Sequence, residues 1–560
     1  MATAPAEPCN VAAALARQAS QRPESPAIHV PDGVRSGAVR YRSASYAELD
    51  RLSDCYARGL LDYGIERGAR VALMVPPGLD FFALFFALFK AGIVPVLIDP
   101  GIGLKPLKQC LAEAEPEAFI GITRAQLARV LLRWSPGSIR RSVTVGPRLG
   151  WGGITLKGLA RRGGTGGSAV LADTQPEEMA AILFTSGSTG IPKGVIYTHR
   201  HFVAQVEMLR DTFGIEPGEV DLATFPPFAL FDPALGMTTV VPHMDPTRPA
   251  RANPRYLVQA IEQFGVTNLF GSPALLKVLG RHAADQKLRF PTVRRVLSAG
   301  AAVPPATVEM MQAALGEHGA IHTPYGATEC LPVTNISSRE LTDELREQAR
   351  NGAGTCVGTP VPPNQVAIMR LMDEAAEVLH PEDRLPAGEV GEIIVSGPTT
   401  TAAYWRRDEQ TRLAKTRDDA GRLWHRMGDV GYFDENGRLW YCGRKSQRVE
   451  TREGPLFADQ VEAMFNDLDG VERTALVGIP ASADSEAGSG REPVLCIERR
   501  KDATQGEADM TRSILERARR FPQLAALERV LYHPGFPVDI RHNAKIGREA
   551  LADWARERLT

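Results

Sequence analysis

The sequence predicts an α/β protein, with a large N-terminal α/β domain of several subdomains and a small C-terminal α+β domain. The chain has 560 residues, which is more than one domain normally holds. Short apolar runs alternate with helical stretches over most of its length, as is typical of largely parallel sheets covered by helices. Near residues 443–446 the pattern changes to a compact unit of about 100 residues, a normal domain size. We therefore expect an N-terminal domain at 1–443, a hinge at 444–447 and a C-terminal domain at 448–560.

The individual elements follow from the spacing of apolar residues. Helical periodicity predicts helices at 46–63 and 254–264 of the large domain, and no internal repeat is evident. Short apolar runs bounded by polar or turn residues predict buried strands. In the large domain these strands are expected at 71–75, 94–98, 180–184, 268–271, 295–298 and 438–442. In the small domain, helices are expected at 458–465 and 510–519, and strands at 475–479 and 493–498.

Charge and cysteine usage exclude several classes of protein. The chain contains 65 basic and 66 acidic residues, and this balance indicates neither a nucleic-acid surface nor a polybasic membrane patch. Its 7 cysteines are scattered without a Cys-x-x-Cys motif, which favours reduced thiols in the cytoplasm. No signal peptide is visible at the N-terminus.

The most apolar stretch, residues 81–98, has the length of a membrane span. Lys90, Gly92 and Pro95 interrupt it, so a buried helix followed by a buried strand explains it better. We therefore expect a cytoplasmic protein that is not transmembrane.

The segment 183–195, which reads LFTSGSTGIPKGV, is the most informative part of the chain. Its glycines allow successive backbone N–H groups to point to one place, and its hydroxyl groups and Lys193 add donors and a positive charge. This predicts a cradle for a polyphosphate, whereas a flexible linker would not explain the closing Pro-Lys-Gly. It is not a Walker loop, because no glycine immediately precedes Lys193. Besides Lys193, the expected phosphate contacts are Thr185, Ser186, Gly187, Ser188, Thr189 and Gly190.

This loop resembles the phosphate loop of the adenylate-forming superfamily, whose members make an acyl-AMP from ATP and a carboxylic acid. The resemblance covers residues 11–554, where further motifs follow in the order typical of the superfamily. It implies the adenylate-forming enzyme fold with a mobile C-terminal domain. It also implies ATP and Mg²⁺ as cofactors.

The resemblance places the adenine base against two motifs. Gly300 and Ala301 follow a predicted strand, where a glycine lets a flat base approach the backbone. Tyr325 and Gly326 begin the motif YGATE, and the tyrosine ring is expected to stack on the purine.

The remaining motifs are expected at the phosphates, the ribose and the reacting carboxylate. In the superfamily pattern, Thr328 bonds a phosphate and Glu329 holds Mg²⁺. Asp429 accepts hydrogen bonds from the ribose hydroxyls, and Arg444 at the hinge reaches the ribose or a phosphate. Lys545 bridges the carboxylate and the α-phosphate, where its charge offsets the repulsion between the two reactants. A surface lysine is the alternative for Lys545.

Two sequence variants narrow the resemblance. Residues 541–544 read Arg-His-Asn-Ala where the superfamily usually has Thr-x-Ser-Gly, and residues 225–232 read FPPFALFD. Both are similar to the β-lactone synthetases of bacterial olefin biosynthesis. Those enzymes activate a 2-alkyl-3-hydroxy fatty acid as its acyl-AMP, with release of pyrophosphate, and the 3-hydroxyl group then displaces AMP to give a β-lactone. The resemblance places Phe228, Phe231 and Asp232 at this substrate, and it implies an assembly with other olefin-pathway enzymes.

Two other functions stay open at this point. A long-chain fatty acyl-CoA ligase would use the same phosphate motifs. Ala229 stands where many such ligases have histidine, and Ser446 where their hinge has aspartate, which fits a reaction without CoA but does not exclude CoA. A non-catalytic nucleotide-binding subunit is the third alternative, although the intact Lys193 and Glu329 argue against it.

Four residues invite a chemical role beyond the nucleotide motifs. Asp232 and His425 are candidate bases for the 3-hydroxyl group, with a capping or ion-paired role equally open. His199 and His201 would suit a metal site, but no third ligand stands near, so the start of a helix explains them better.

Overall fold

The computed structural model describes residues 9–164, 166–185, 192–480, 490–538 and 546–559. The chain forms two compact units. The first comprises Met1–His322, Gly326–Pro332 and Gly397–Thr411, and the second comprises Thr323–Tyr325, Val333–Ser396 and Arg412–Thr560. The expected hinge at 444–447 lies inside the second unit, and a domain boundary at that point stays a prediction.

The first unit contains two seven-stranded sheets and the helices that cover them. Its strands are β1 (Pro26–Arg35), β2 (Ala38–Ser45), β3 (Arg70–Met74), β4 (Val94–Leu97), β5 (Ala118–Ile122), β6 (Arg141–Val145), β7 (Ile154–Thr155), β8 (Met179–Phe184), β9 (Gly194–Thr198), β10 (Val220–Ala223), β11 (Thr238–Val240), β12 (Asn268–Phe270), β13 (Arg295–Leu297) and β14 (Ala320–His322). Its helices are α1 (Ala12–Gln21), α2 (Tyr46–Asp62), α3 (Leu79–Lys90), α4 (Leu104–Ala114), α5 (Thr123–Leu131), α6 (Leu156–Gly163), α7 (His199–Phe213), α8 (Pro226–Ala229), α9 (Asp232–Leu235), α10 (Pro254–Phe264), α11 (Pro273–Gln286) and α12 (Pro305–Ala314).

The two sheets have the same arrangement of strands in space, although their last two strands follow the others in the chain in one sheet and precede them in the other. Their strand orders are β7-β6-β5-β3-β4-β8-β9 and β14-β13-β12-β10-β11-β1-β2. All neighbours are parallel except the last pair of each sheet, β8 with β9 and β1 with β2. The largely parallel α/β architecture predicted from the alternation of strands and helices is therefore confirmed.

The apolar stretch at 81–98 forms helix α3 and strand β4, as predicted. Every residue of α3 from Phe81 to Lys90 is buried, and the helix packs against α1, α2 and β4. A helix that is apolar on all sides is stable only in such an interior. Within the described ranges, no helix is both long and apolar enough to cross a membrane.

Helix α3 brings a charge into the core with it. Lys90 is only 1% exposed, and its Nζ lies 2.6 Å from Asp50 Oδ1 and 2.7 Å from Asp54 Oδ1 of helix α2. Ser45 is the N-cap of helix α2, and its side chain and that of Glu48 form a reciprocal capping box. The lysine therefore ties α3 to a helix whose start is fixed by its own sequence.

The rest of the chain forms mainly antiparallel sheets. Its strands are β15 (Tyr325–Ala327), β16 (Cys330–Asn335), β17 (Thr355–Pro360), β18 (Gln365–Met369), β19 (Val378–Leu379), β20 (Gly391–Ser396), β21 (Lys415–Asp418), β22 (Leu423–Phe433), β23 (Leu439–Arg444), β24 (Val449–Thr451), β25 (Gly454–Leu456), β26 (Val471–Pro480), β27 (Arg491–Arg499) and β28 (Arg529–Tyr532). Its helices are α13 (Asp343–Gln348), α14 (Asp408–Ala414), α15 (Ala458–Ala463), α16 (Glu507–Ala518) and α17 (Arg548–Leu559).

The C-terminal α+β unit has the predicted elements. Strands β26, β27 and β28 form a three-stranded sheet. Alternate residues of β26 face opposite sides, so that Leu476 packs with α15 and α16 while Val477 packs against Leu551 of α17. A larger sheet in the order β15-β16-β17-β23-β22-β20-β18 precedes it in the chain. Its strands β22 and β23 carry two of the expected site residues.

Lys90→Ala should destabilise the first unit by about 3–5 kcal/mol, because it leaves Asp50 and Asp54 without their cation. The measurement is the urea midpoint of the unfolding transition, followed by tryptophan fluorescence. Lys108→Ala removes an exposed lysine of α4 and should change stability by no more than about 0.5 kcal/mol. Equal shifts in the two variants would contradict a stabilising role for the buried cation.

Candidate functional site

The two ends of the expected phosphate loop are joined by hydrogen bonds. The Thr185 N–H donates to the Lys193 carbonyl at 3.0 Å, and the Lys193 N–H donates to Thr185 Oγ1 at 3.1 Å. Thr185 follows strand β8 and Lys193 precedes β9, so the hairpin of these strands fixes both ends. The other expected phosphate contacts stay predictions, since they lie outside the described residues: Ser186, Gly187, Ser188, Thr189 and Gly190.

Tyr404 links the expected phosphate-binding lysine to the expected metal-binding carboxylate. The Lys193 Nζ lies 5.0 Å from the centre of the Tyr404 ring, within the range of a cation–π interaction. The Tyr404 hydroxyl donates a hydrogen bond to Glu329 Oε1 at 2.5 Å. Within the first unit, Tyr404 therefore contacts Lys193 through its ring and Glu329 through its hydroxyl group.

The backbone around Thr328 and Glu329 is held by neighbouring side chains. The Tyr197 hydroxyl donates to the Thr328 carbonyl at 2.5 Å. Thr401 donates to the Glu329 carbonyl from its N–H at 2.9 Å and from its hydroxyl at 3.0 Å. Their side chains can therefore point to a ligand without the backbone moving.

Sequence reasoning missed Tyr404. The threonines just before it, Thr399, Thr400 and Thr401, are all buried, but burial is visible only in the structure. Buried polar side chains are normally hydrogen-bonded, so a run of them indicates a segment whose position is fixed by specific partners. Only the fold shows these partners, because Tyr404 pairs with Val195 of β9, which is far away in sequence.

Gly300 and Ala301 follow strand β13 at the carboxyl end of its sheet. Parallel sheets bind ligands at that edge. Gly300 has φ +91°, a conformation that favours glycine, and Ser298 before it is held by an N–H bond to the His322 carbonyl at 2.9 Å. The backbone geometry thus suits the close approach expected of an adenine pocket. Gly326 belongs to the second motif expected at the adenine base. A Cβ at this position would lie 2.8 Å from the Cys330 carbonyl oxygen.

The second unit brings together Tyr325, Asp429 and Arg444. The Tyr325 hydroxyl donates to Asp429 Oδ2 at 2.6 Å, and Arg444 Nη1 lies 3.0 Å from Asp429 Oδ1. Asp429 and Arg444 are direct partners in the β22–β23 pairing, which explains their approach. Burial, and then the Asp429 charge, raise the pKa of Tyr325 well above its ordinary value, so the tyrosine stays a donor.

Asp232 lies at the start of helix α9, with its carboxyl group inside the protein. Thr239 donates to its Oδ2 at 3.1 Å, and Asp221 of β10 is hydrogen-bonded to it. Burial raises the pKa of Asp221 to about 7, and burial with the Asp221 charge raises that of Asp232 well above its ordinary value. The two carboxyl groups therefore share protons at neutral pH. The sequence did not indicate this pair, because only the fold brings Asp221 of β10 close to Asp232 of α9.

Aromatic packing surrounds the other two expected substrate contacts. The Phe228 ring stacks on Phe270 with centres 4.1 Å apart, and the Phe231 ring lies 6.2 Å from Phe202. The segment that contains them is thus lined by aromatic rings on both sides.

The histidines at 199 and 201 begin helix α7, as the helix-start interpretation predicts. His201 Nδ1 accepts the Thr198 N–H at 2.9 Å, and its Nε2 donates to the Thr400 carbonyl at 3.1 Å. Among the described residues there is no cluster of three metal-ligating side chains. Lys545 lies outside the described residues, and its role stays a prediction.

Comparisons with known proteins show which enzymes this chain resembles. A family model described as AMP-binding enzyme matches residues 15–405. The chain is 54% identical over 559 residues to an olefin beta-lactone synthetase of Stenotrophomonas maltophilia (strain K279a), covering 99% of each chain. An olefin beta-lactone synthetase of Xanthomonas campestris pv. campestris is 54% identical over 556 residues, 98% of each chain.

More distant proteins share the fold. A long-chain-fatty-acid–CoA ligase of Escherichia coli O6:H1 is 24% identical over 477 residues, which cover 79% of this chain and 80% of the ligase. The structure of amide bond synthetase McbA from Marinactinospora thermotolerans superimposes with a TM-score of 0.79 at 23% identity, over 97% of this chain and 99% of that one. The fold expected from the phosphate loop is therefore confirmed.

Asp221→Asn should alter how stability depends on pH. The folded state holds the protons of the Asp221–Asp232 pair more tightly than the unfolded chain, whose aspartates titrate near pH 4. The pair therefore stabilises the fold fully below about pH 4, and this stabilisation is lost as the pH rises through about 7. When the pH is raised from 5 to 8, the free energy of unfolding of the variant should increase relative to that of the wild type by on the order of 1–3 kcal/mol.

Calorimetry of both proteins at the two pH values measures that difference. Asp285→Asn, at an exposed aspartate of α11, is the matched control and should keep a constant difference from the wild type. A constant difference for Asp221→Asn as well would rule out proton sharing in the buried pair.

Proposed function

This chain belongs to the AMP-binding enzyme family, and we propose that it converts a 2-alkyl-3-hydroxy fatty acid into a β-lactone at the expense of ATP. The observation that carries the proposal is the 54% identity to an olefin beta-lactone synthetase over 99% of both chains. Lys193 and Glu329, which both contact Tyr404, support it, because they are what a phosphate site of an AMP-forming ligase needs.

The reaction has two steps. A carboxylate oxygen of the substrate attacks the α-phosphorus of ATP, the bond to the bridging oxygen breaks, and pyrophosphate leaves. The 3-hydroxyl oxygen then attacks the acyl carbon, the bond to the phosphate oxygen breaks, and AMP leaves while the hydroxyl proton passes to a base. Because the second nucleophile is part of the substrate, it is already positioned and no external acceptor is required.

The first unit supplies the groups at the phosphates. Lys193 and the donors that start at Thr185 bind the phosphate oxygens, and Thr328 adds a hydroxyl donor. Glu329 would hold Mg²⁺. A single carboxylate fits that ion, which usually binds through one or two carboxylates together with substrate phosphates. Lys545 acts where negative charge develops between carboxylate and phosphate.

The nucleoside and the acyl chain have their own contacts. Asp429 accepts hydrogen bonds from the ribose hydroxyls, while Tyr325 and Arg444 fix the orientation of its carboxylate. Gly300 and Ala301 take the adenine. Phe228 and Phe231 offer apolar surface to the alkyl chains. Asp232 and His425 remain the candidate bases for the 3-hydroxyl proton.

We also propose a cytoplasmic enzyme that works beside the next enzymes of olefin biosynthesis. The reaction consumes ATP, and all 7 cysteines are free thiols. A strained lactone is best passed on directly, which supports an assembly with the enzymes that consume it.

Product analysis tests the proposed reaction. The purified enzyme is incubated with ATP, Mg²⁺ and a 2-alkyl-3-hydroxy acid, with and without CoA. We expect lactone, AMP and pyrophosphate in equal amounts in both samples, and no turnover beyond the acyl-AMP when the 3-hydroxyl group is absent. Lys545→Ala is the control and should lower the rate by about 10²–10³. Rapid thioester formation from a plain fatty acid would instead identify an acyl-CoA ligase.

Tyr404→Phe should reduce kcat by about tenfold to a hundredfold, since it removes a hydrogen bond to a charged carboxylate and keeps the ring beside Lys193. The readout is pyrophosphate release across a Mg²⁺ titration, where the variant should need more Mg²⁺. Tyr56→Phe is the matched control, because the Tyr56 hydroxyl donates to Asp80 Oδ1 at 2.9 Å away from these motifs. If both variants keep normal turnover, Tyr404 does not position Glu329.

A further inference from the structure

One segment of the chain has an unusual charge. Between Glu117 and Asp173 there is no acidic residue, although acidic and basic residues balance over the whole sequence. The segment contains nine basic residues: Arg124, Arg129, Arg133, Arg140, Arg141, Arg148, Lys157, Arg161 and Arg162. The chain as a whole balances basic and acidic residues and so gave no indication of a polybasic patch. This segment nevertheless carries a local excess of positive charge.

The same segment is rich in exposed apolar side chains. Among the described residues, eleven large aliphatic side chains are exposed, and six of them lie between Glu117 and Asp173, in about a tenth of the chain. They are Leu127 (43% exposed), Val130 (45%), Leu131 (70%), Leu132 (37%), Leu149 (64%) and Leu171 (48%). Single exposed leucines are normal, whereas this concentration is not.

Four of these side chains lie together at helix α5. Leu127 and Leu131 are four residues apart and so share one side of the helix with Arg124. The opposite side is buried: Gln126 is fully covered and donates to the Val143 carbonyl at 3.0 Å. We call Arg124, Leu127, Val130, Leu131, Leu132 and Arg133 the α5 face.

Among the residues that the structure describes, no carboxylate pairs with the arginines of the α5 face. The three glutamates that precede it in the chain each have an arginine of their own. Glu113 pairs with Arg407, Glu115 with Arg406 and Glu117 with Arg70. Arg124 and Arg133 form no ion pair with any described carboxylate.

We propose that the α5 face docks the protein on an anionic membrane surface. The leucines and Val130 enter the boundary between head groups and acyl chains, and Arg124 and Arg133 pair with lipid phosphates. An anionic leaflet attracts each such cation, so the two kinds of contact act together. Nucleic-acid grooves use exposed aromatic rings for stacking, and the centres of protein interfaces favour aromatic residues and Met. The α5 face has neither, which favours lipid.

Vesicle binding by the full chain tests this without ATP or substrate, so that its outcome is independent of the proposed reaction. Vesicles contain phosphatidylcholine alone or in equal parts with phosphatidylglycerol, and binding is measured by co-sedimentation. The wild type should bind the anionic vesicles, and less as NaCl is raised. Arg124→Gln with Arg133→Gln should weaken that binding by about 25-fold. Leu127→Ser with Leu131→Ser should weaken it by about tenfold.

The controls change exposed residues of the same kinds elsewhere in the chain. Arg281→Gln with Arg519→Gln, and Val378→Ser with Leu413→Ser, should bind vesicles like the wild type. Absence of wild-type binding would overturn the proposal and leave the face to an acidic protein partner. Equal loss in the control variants would overturn it too, because the attraction would then come from no particular surface.

Discussion

The candidate phosphate site depends on the pairing of residues 403–405 with strand β9. The Trp405 N–H donates to the Gly194 carbonyl at 2.7 Å, and the Ile196 N–H donates to the Ala403 carbonyl at 3.2 Å. Gly194 has to be small here, since a Cβ would lie 2.9 Å from the Ile182 side chain and 3.1 Å from the Phe184 ring. These bonds fix Tyr404 between Lys193 and Glu329. The segment is also anchored by ion pairs of Arg407 with Glu113 of helix α4 and of Arg406 with Glu115, which follows that helix.

The sequence predicts the fold well where apolar spacing alone decides the structure. The helix expected at 254–264 is α10, residue for residue, and the buried strand expected before the phosphate loop is β8. The motifs were found because each is a short local pattern of glycines, hydroxyl groups or charges. Tyr404 and Asp221 were not, because their roles arise from contacts with residues distant in sequence. No local pattern carries that information.

The same reason limits what the sequence indicates about charge. Total charge says nothing about where charges lie, and the acid-free segment becomes a surface only when α5 turns Arg124 and Leu127 outward. Buried ionisable groups likewise depend on contacts that only the fold provides. Lys90 is stable in the core because two aspartates reach it, and Asp232 because Asp221 and Thr239 do. Each is a charged or acidic residue that sequence reasoning alone would place on the surface.

The sheet formed by β3 to β9 carries both the phosphate loop and the helix proposed to dock on a membrane. Helix α5 packs on β5 and β6 toward one edge of that sheet, while β8 and β9, which hold the phosphate loop, form the other edge. Both edges belong to the same compact unit. Docking through α5 therefore leaves the hairpin of β8 and β9 free, and it requires no change in the contacts of Lys193. Membrane docking and phosphate binding would then use opposite edges of one sheet, so that neither contact obstructs the other.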